Sequence, residues 1–176
     1  MSKRLQDINY PFCIFSGILI ALAVKTFLID IYRVNGYSME KTLCNNQLVL
    51  VNKAAYGIQN PFTGALFVQW KKPSEGDIII YFYNKNTVVK RCTATGGTEL
   101  EYIEYVDFSS KSEYSLIVGK NKKIPLDSIQ YHRMKTNSKV PENYILAVGD
   151  NYSLSVDSRN YGFVPEKNIL GKVICR

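Results

Sequence analysis

The sequence predicts a mainly β protein, in which one membrane-anchoring helix precedes an all-β domain built as a sandwich or a partly open barrel. Three observations lead to this fold class. One long apolar run lies near the N-terminus, at residues 11–24. Short alternating segments with turn residues between them fill the rest of the chain, as in all-β domains. Abundant tyrosine (13 residues), valine, isoleucine and threonine favours strands.

Composition limits the functions that the chain can have. The 176 residues suffice for one compact domain with an appendage. The net charge of +7 is scattered rather than gathered on a basic helix or stripe, so we expect no nucleic-acid partner. The single histidine, His132, rules out a multi-histidine metal site, and the cysteines form no C-x-x-C pair. We therefore expect neither a metal nor a cofactor. The cysteines are Cys13, Cys44, Cys92 and Cys175.

The apolar run has two interpretations. Counted over residues 8–29 it is about long enough to span a bilayer, with Lys25 able to extend to the interface. It also resembles a cleavable signal peptide, because residues 21–23 (Ala-Leu-Ala) have the small-x-small form of a cleavage site. The basic residues Lys3 and Arg4 predict that the N-terminus stays cytoplasmic and the remainder lies outside.

Alternation and turn residues predict the strands that follow. A polar, β-rich insert at residues 98–139 separates two groups, and within it residues 101–108 and 114–118 alternate. The third and fourth strands form an antiparallel hairpin, and only the anchor is predicted to be helical. The strands outside the insert are residues 31–34, 47–51, 77–83, 87–92, 144–148 and 172–175.

Ser38 is the candidate nucleophile, placed after the turn signal Asn-Gly. A hydroxyl needs a base, and the sequence offers two. His132 lies in the polar insert, in a setting typical of exposed side chains. Lys90 follows two valines at the end of the hairpin, where alternation would point it inward with Val88 and burial would lower its pKa. The alternative for Lys90 is an exposed edge-strand lysine.

The segment 149–162 is a third candidate region. Glycine, aspartate, asparagine and serine at this density form structured turns. Asp157 and Arg159 are spaced to pair, and a serine hydroxyl could orient a lysine amine. A plain polar loop between strands is the alternative.

Taken together, three blocks closely resemble the bacterial type I signal peptidases. V-N-G-Y-S-M-E-K-T-L at 34–43 is similar to that family's serine box. G-D-I-I-I-Y-F at 76–82 with V-V-K-R at 88–91 is similar to its lysine box. The third block runs from V-P-E-N-Y-I-L-A-V-G-D-N at 140–151 to S-x-D-S-R-x-x-G-F-V-P at 155–165. An apolar segment before the serine box is also shared.

The resemblance implies a signal-peptidase-type β domain and a role for each matched residue. Ser38 would be the nucleophile and Lys90 the general base, in a Ser-Lys variant of the catalytic triad. Ser155 would orient the Lys90 amine, and Asp157 with Arg159 would brace the loop. The related endoplasmic-reticulum enzymes carry histidine where this chain has Lys90, which favours the bacterial type.

The implied activity is that of a membrane-bound serine endopeptidase that removes signal peptides from exported preproteins through an acyl-enzyme. Shallow pockets for small residues at the first and third positions before the cut would select small-x-small sites. The positions that match these pockets are Tyr32, Val34, Leu43 and Val89. Signal-peptide-bearing preproteins and the lipid bilayer are the implied partners; the sequence leaves the oligomeric state open.

The resemblance also implies that the anchor is retained. The expected organisation is a short cytoplasmic segment at 1–10, a single transmembrane anchor at 11–30 and an extracytoplasmic catalytic domain at 31–176, with 98–139 as a variable insert. The expected location is the bacterial cytoplasmic membrane.

Three positions and one segment depart from the family's pattern. Gly36 lies where some members add a serine hydroxyl to the oxyanion hole. Lys41 replaces a proline, Tyr152 replaces an arginine, and residues 94–98 lack the common G-x-P-G-D. Alternatives therefore remain: a specialised conjugation or pilin peptidase, a repressor-type Ser-Lys autoprotease, or an inactive membrane-tethered binding module.

Overall fold

The computed structural model describes residues 10–60, 66–106, 112–120 and 122–175. They form a mainly β structure behind one long N-terminal helix, which confirms the predicted fold class. The helices are α1 (Tyr10–Phe27), α2 (Ser128–Met134) and α3 (Ser158–Tyr161), with a 3-10 turn at Glu166–Asn168. The strands are β1 (Ile29–Arg33), β2 (Leu48–Asn52), β3 (Gly57–Gln59), β4 (Leu66–Gln69), β5 (Ile78–Tyr83), β6 (Asn86–Thr95), β7 (Leu100–Val106), β8 (Ser112–Val118), β9 (Lys122–Leu126), β10 (Tyr144–Val148), β11 (Val164–Pro165) and β12 (Ile169–Cys175).

Helix α1 is apolar on all sides and buries none of its residues against the protein. Its 18 residues span about 27 Å, close to the thickness of a bilayer core. Lys25 lies in the last turn, where a cation suits the helix dipole. The helix is therefore long and apolar enough to cross a membrane. Of the predicted cytoplasmic segment, residues 1–9 lie outside the described residues.

A seven-stranded antiparallel sheet forms the centre, in the order β1-β2-β12-β5-β6-β10-β11. Among the described residues this sheet is open, with β1 and β11 at its edges. Strand β5 is buried on both faces, which explains its continuous run of apolar residues. Ile78 and Ile80 contribute to one apolar cluster with Leu43 and Val49, while Ile79 belongs to a cluster on the opposite face.

The β5–β6 hairpin confirms the predicted pairing. Its two-residue turn, Asn84 and Lys85, has positive φ at both positions (46° and 64°), the geometry that suits a tight hairpin. The register that follows places Ile79 opposite Lys90. The turn therefore fixes which residue of β6 lies at the centre of the sheet.

The insert forms a separate small sheet that packs against the central one. Strands β7, β8 and β9 form a three-stranded sheet, whose buried side chains include Leu116 and Ile124 and pack with Leu146 of β10. The predicted segment 101–108 is described only in part. Strand β7 ends at Val106, and residues 107 and 108 of the predicted strand lie outside the described residues.

The prediction that only the anchor is helical is wrong. Helix α2 begins at a capping box, in which Asp127 accepts a hydrogen bond from Gln130 N while the Gln130 side chain accepts one from Asp127 N. Helix α3 begins in the same way at Asp157 with Asn160. Both helices are short and polar, so capping rather than an apolar stripe determines where they form.

Gly171 provides a test of the central packing. A Cβ there would lie 2.6 Å from Asn52 O and 2.7 Å from Val51 Cγ1. We expect Gly171→Ala to lower the free energy of unfolding by about 1–3 kcal/mol, because the β2–β12 contact has to open. Circular dichroism melts in detergent measure the change. The control is Gly17→Ala, where no atom lies within 4 Å; equal melting temperatures for the two variants would contradict this account of the packing.

Candidate active site

Ser38 is held in a compact turn that follows β1. Met39 and Leu43 are buried in the core, and the amide N–H groups of Thr42 and Leu43 both donate to Met39 O. These contacts fix the backbone on the C-terminal side of the serine. Gly36, with φ of 96°, provides the left-handed conformation that reverses the chain just before it.

Lys90 lies in the interior of β6 and is only 4% exposed. Its Nζ donates a hydrogen bond to Ser38 Oγ at 2.7 Å. Burial lowers the pKa of Lys90, Asp157 opposes that shift, and Arg159 adds to it. A lysine amine that loses its proton readily can accept one from a serine hydroxyl at this distance. The structure thus brings Ser38 and Lys90 together, at the inward position that alternation predicts.

Asp157 and Arg159 form a fully buried ion pair. Arg159 Nε and Nη2 donate to the two carboxylate oxygens of Asp157, each at 2.9 Å. Asp157 also accepts from Gly149 N at 3.0 Å, and Arg159 donates to Tyr152 O and to Pro125 O. The pair therefore braces the segment between β10 and α3 against the insert, as the resemblance implies.

Ser155 is 6% exposed, and its hydroxyl has no hydrogen-bond partner among the described residues. The expected hydrogen bond to Lys90 is therefore not formed in this structure, and the orienting role of Ser155 remains a prediction. A Cβ added to Gly149 would lie 2.2 Å from the hydroxyl oxygen of Ser155. Only glycine at 149 leaves room for this serine.

Ser38 and Lys90 open onto a cavity of about 500 Å³. Three of the four predicted pocket residues, Tyr32, Val34 and Val89, line it. The fourth, Leu43, does not: it is fully buried and lies in the core, packed in the same cluster as Val34. The turn after Ser38 directs Leu43 inward, and its role in substrate binding remains a prediction.

A hydrogen-bond network that sequence reasoning missed lies near Ser38 and Lys90. Arg91 Nε and Nη2 donate to the carboxylate of Asp150 at 2.7 and 2.6 Å, and Thr42 also donates to Asp150. Burial raises the pKa of Asp150, but these hydrogen bonds outweigh it and the net shift is downward. Asn151 N donates to Ser38 O at 3.0 Å. In the sequence, the only indication of this network was that Arg91 and Asp150 both lie inside the matched blocks.

His132, the other candidate base, is exposed on α2. Its Nδ1 donates to Ser128 O at 2.8 Å, within the same helix. It does not line the cavity of Ser38 and Lys90. The described residues contain no group of three or more His, Cys, Asp or Glu side chains arranged to hold a metal ion.

Comparison with known proteins decides the family. The family described as signal peptidase, peptidase S26, matches residues 8–176. The chain belongs to the signal peptidase family. The predicted resemblance is therefore confirmed, and the protein is a peptidase.

Individual relatives of this signal peptidase agree with that assignment. Signal peptidase I of Aquifex aeolicus is 26% identical over 90% of this chain and 79% of the relative. Signal peptidase IB of Staphylococcus aureus is 29% identical, over 90% and 82%. A crystal structure of a signal peptidase I from Enterococcus faecalis V583 is 25% identical and covers 59% of this chain and 98% of that chain, with a TM-score of 0.37. That TM-score is too low for the alignment to support any argument.

The departures from the family's motifs have definite positions in this signal peptidase. The Gly36 N–H donates to Asn45 Oδ1 at 2.9 Å, so it is already engaged. Lys41 and Tyr152, distant in sequence, lie together, with Lys41 Nζ 5.4 Å from the centre of the Tyr152 ring. In the segment 94–98, the Gly97 N–H donates to Val140 O at 2.9 Å, which joins the end of β6 to the third block.

The buried ion pair predicts a large loss of stability for Asp157→Asn. That change leaves the Arg159 guanidinium buried without its counter-charge, and we expect the free energy of unfolding to fall by about 3–5 kcal/mol. Urea unfolding in detergent measures the loss. The matched control is Glu99→Gln, which removes an exposed carboxylate 3.5 Å from Lys139 and should change stability by less than about 1 kcal/mol. A loss for Asp157→Asn no larger than for the control would show that the pair is not structurally important.

Proposed function

We propose that this membrane-anchored signal peptidase removes signal peptides with a Ser38–Lys90 dyad. The observation that supports it is the 2.7 Å hydrogen bond between Lys90 Nζ and Ser38 Oγ, made by a lysine that is only 4% exposed. A buried amine without a directly paired carboxylate favours its neutral form. The neutral amine is the species that a serine nucleophile requires.

In the first half-reaction, Ser38 Oγ attacks the carbonyl carbon of the scissile peptide bond while Lys90 Nζ takes the hydroxyl proton. The resulting tetrahedral oxyanion collapses, the C–N bond breaks, and Lys90 returns the proton to the leaving amine of the mature chain. The carboxyl end of the signal peptide is then esterified to Ser38. In the second half-reaction, Lys90 deprotonates a water that attacks this ester, and the proton passes back to Ser38 as the C–O bond to the serine breaks.

The oxyanion needs a hydrogen-bond donor. Within the described part of the chain the Ser38 N–H donates no hydrogen bond, so it is available for this role. Gly36 offers none, because it has no side chain and its N–H already donates to Asn45. A single backbone donor of this kind contributes about 3–4 kcal/mol to transition-state stabilisation.

Substrate selection is proposed to come from the walls of the catalytic cavity. Tyr32, Val34 and Val89 line it. Side chains larger than alanine at the first and third positions before the cut would overlap these walls, so small-x-small sites are preferred. Leu43, the fourth predicted pocket residue, is fully buried and packs in the same cluster as Val34.

Location is proposed from the sequence around the anchor. Helix α1 is retained as a single-pass anchor in the bacterial cytoplasmic membrane, and basic residues before it keep the N-terminus (residues 1–10) in the cytoplasm. Residues 31–176 then form the extracytoplasmic catalytic domain, with 98–139 as its variable insert. Exported preproteins reach the site at the outer surface of the bilayer.

The dyad predicts that Ser38→Ala, Lys90→Ala and Lys90→Arg each lower preprotein cleavage by about 10³-fold or more, because each removes the nucleophile or a neutral base. Cleavage of a preprotein by enzyme in lipid vesicles measures this. Matched controls are Ser138→Ala and Lys167→Ala, which change an exposed serine and an exposed lysine. Near-normal cleavage by any of the three dyad variants would overturn the proposal.

The lowered pKa of Lys90 predicts the direction of the pH dependence. The base is active only when deprotonated, so kcat/KM should rise with pH through the pKa of Lys90 and level off above it. Because burial lowers that pKa from the ordinary value of 10.5, the rise should be centred below 10.5. Initial rates with a peptide substrate, corrected for enzyme stability at each pH, measure the curve. A rate that falls as pH rises through this range would contradict a lysine base.

A further inference from the structure

A second cavity of about 630 Å³ lies next to the catalytic one. The two share a wall made of Leu154 and Val156, whose side chains line both cavities. These two residues, here called the ridge, are 61% and 67% exposed, large values for apolar side chains. Nothing in the chemistry of the dyad requires an apolar ridge with a cavity on its far side.

Lys41 and Tyr152 lie on the wall of this second cavity. The Lys41 ammonium is held 5.4 Å from the centre of the Tyr152 ring, a cation–π distance. Among the described residues, Lys41 forms no ion pair with a carboxylate. The other cation of the cavity, Arg159, is buried and neutralised by Asp157. Lys41 is therefore the accessible, uncompensated positive charge at this cavity.

One carboxylate, Asp127, also lines the cavity. Its oxygen accepts the hydrogen bond from Gln130 N at 2.8 Å that begins α2, so part of its charge is balanced by the helix terminus. Lys41 lies on an exposed turn and can move toward a ligand, whereas Asp127 is fixed at its helix. We therefore expect a carboxylate of a bound ligand to form an ion pair with Lys41.

The chain direction indicates which part of a substrate would reach Lys41. Residues that precede Ser38, such as Tyr32 and Val34, line the catalytic cavity, where the proposed function places the residues before the cut. Lys41 follows Ser38 by three residues and lies at the other cavity. Since residues three apart in a helical turn are about 5–6 Å apart and the lysine side chain adds a similar length, its ammonium lies no more than about 12 Å from Ser38. An extended peptide covers that distance in about three residues.

We propose that the second cavity binds the first residues of the mature chain, and that Lys41, positioned by the Tyr152 ring, selects an acidic side chain at the second to fourth position after the cut. This inference rests on the proposed function. It adds a charge preference on the mature side of the cleavage site to the size preference on the signal-peptide side.

The test uses full-length enzyme in detergent and a set of peptide substrates. The peptides share one small-x-small site and differ only by Glu, Gln or Lys at the second, third or fourth position after the cut. For wild type we expect kcat/KM to be about three- to five-fold higher for Glu than for Lys at one of these positions, the size typical of an exposed ion pair. The ratio should shrink in high salt.

The Lys41 variants assign the preference to a residue. Lys41→Gln should bring the Glu-to-Lys ratio to about one, and Lys41→Glu should invert it. The matched control is Lys135→Gln, because Lys135 has the same 5.4 Å geometry over Tyr131 but lies on the insert. That control should retain the wild-type ratio.

Each outcome has one meaning. Cleavage by wild type with no preference between Glu and Lys, or with a preference for Lys, overturns the subsite and leaves the dyad intact. A preference for Glu that persists in Lys41→Gln overturns the assignment to Lys41. Failure of wild type to cleave any of the peptides or a preprotein counts against the proposed function itself, and so against the subsite that rests on it.

Discussion

The chemistry of the candidate active site depends on the burial of the Lys90 amine away from water. Lys90 can serve as a base only if it is neutral near the pH of its surroundings, and burial in the sheet is what lowers its pKa. Asp157 acts in the opposite direction and raises the Lys90 pKa, whereas Arg159 lowers it. The two side chains form an ion pair with each other. The buried pair therefore holds the loop in place, and the charge of Arg159 offsets the effect of Asp157 on the Lys90 pKa.

The three matched blocks depend on one another in space. Ser38 is held from one side by its own turn and from the other by the N–H of Asn151. Arg91 joins the blocks, since it pairs with Asp150 on the loop after β10 and also donates to Thr42 beside the serine. No block forms the site alone. Hydrogen bonds of 2.6 to 3.0 Å connect the three blocks.

Alternation made the centre of the site predictable. The period of two along β6 points Lys90 inward, and the turn before it fixes the register, so alternation correctly placed the Lys90 side chain on a buried face of the sheet. Sequence reasoning failed where the structure depends on distant partners or on local caps. The Arg91–Asp150 pair was missed because it joins residues 59 apart in sequence. Helix α2 was missed because its start depends on capping.

The connection between helix α1 and the β domain is short. Only Leu28 lies between α1 and β1, and its carbonyl accepts a hydrogen bond from Lys53 N, which joins the end of β2 to the same point. The domain is thus joined to its helix without a flexible linker. Ser38 follows Phe27, the last residue of α1, by eleven residues, so it lies within about 40 Å of the helix end. On the proposed function, this limit on the distance between Ser38 and the lipid requires a substrate with a matching length of chain between its own apolar segment and the bond to be cut.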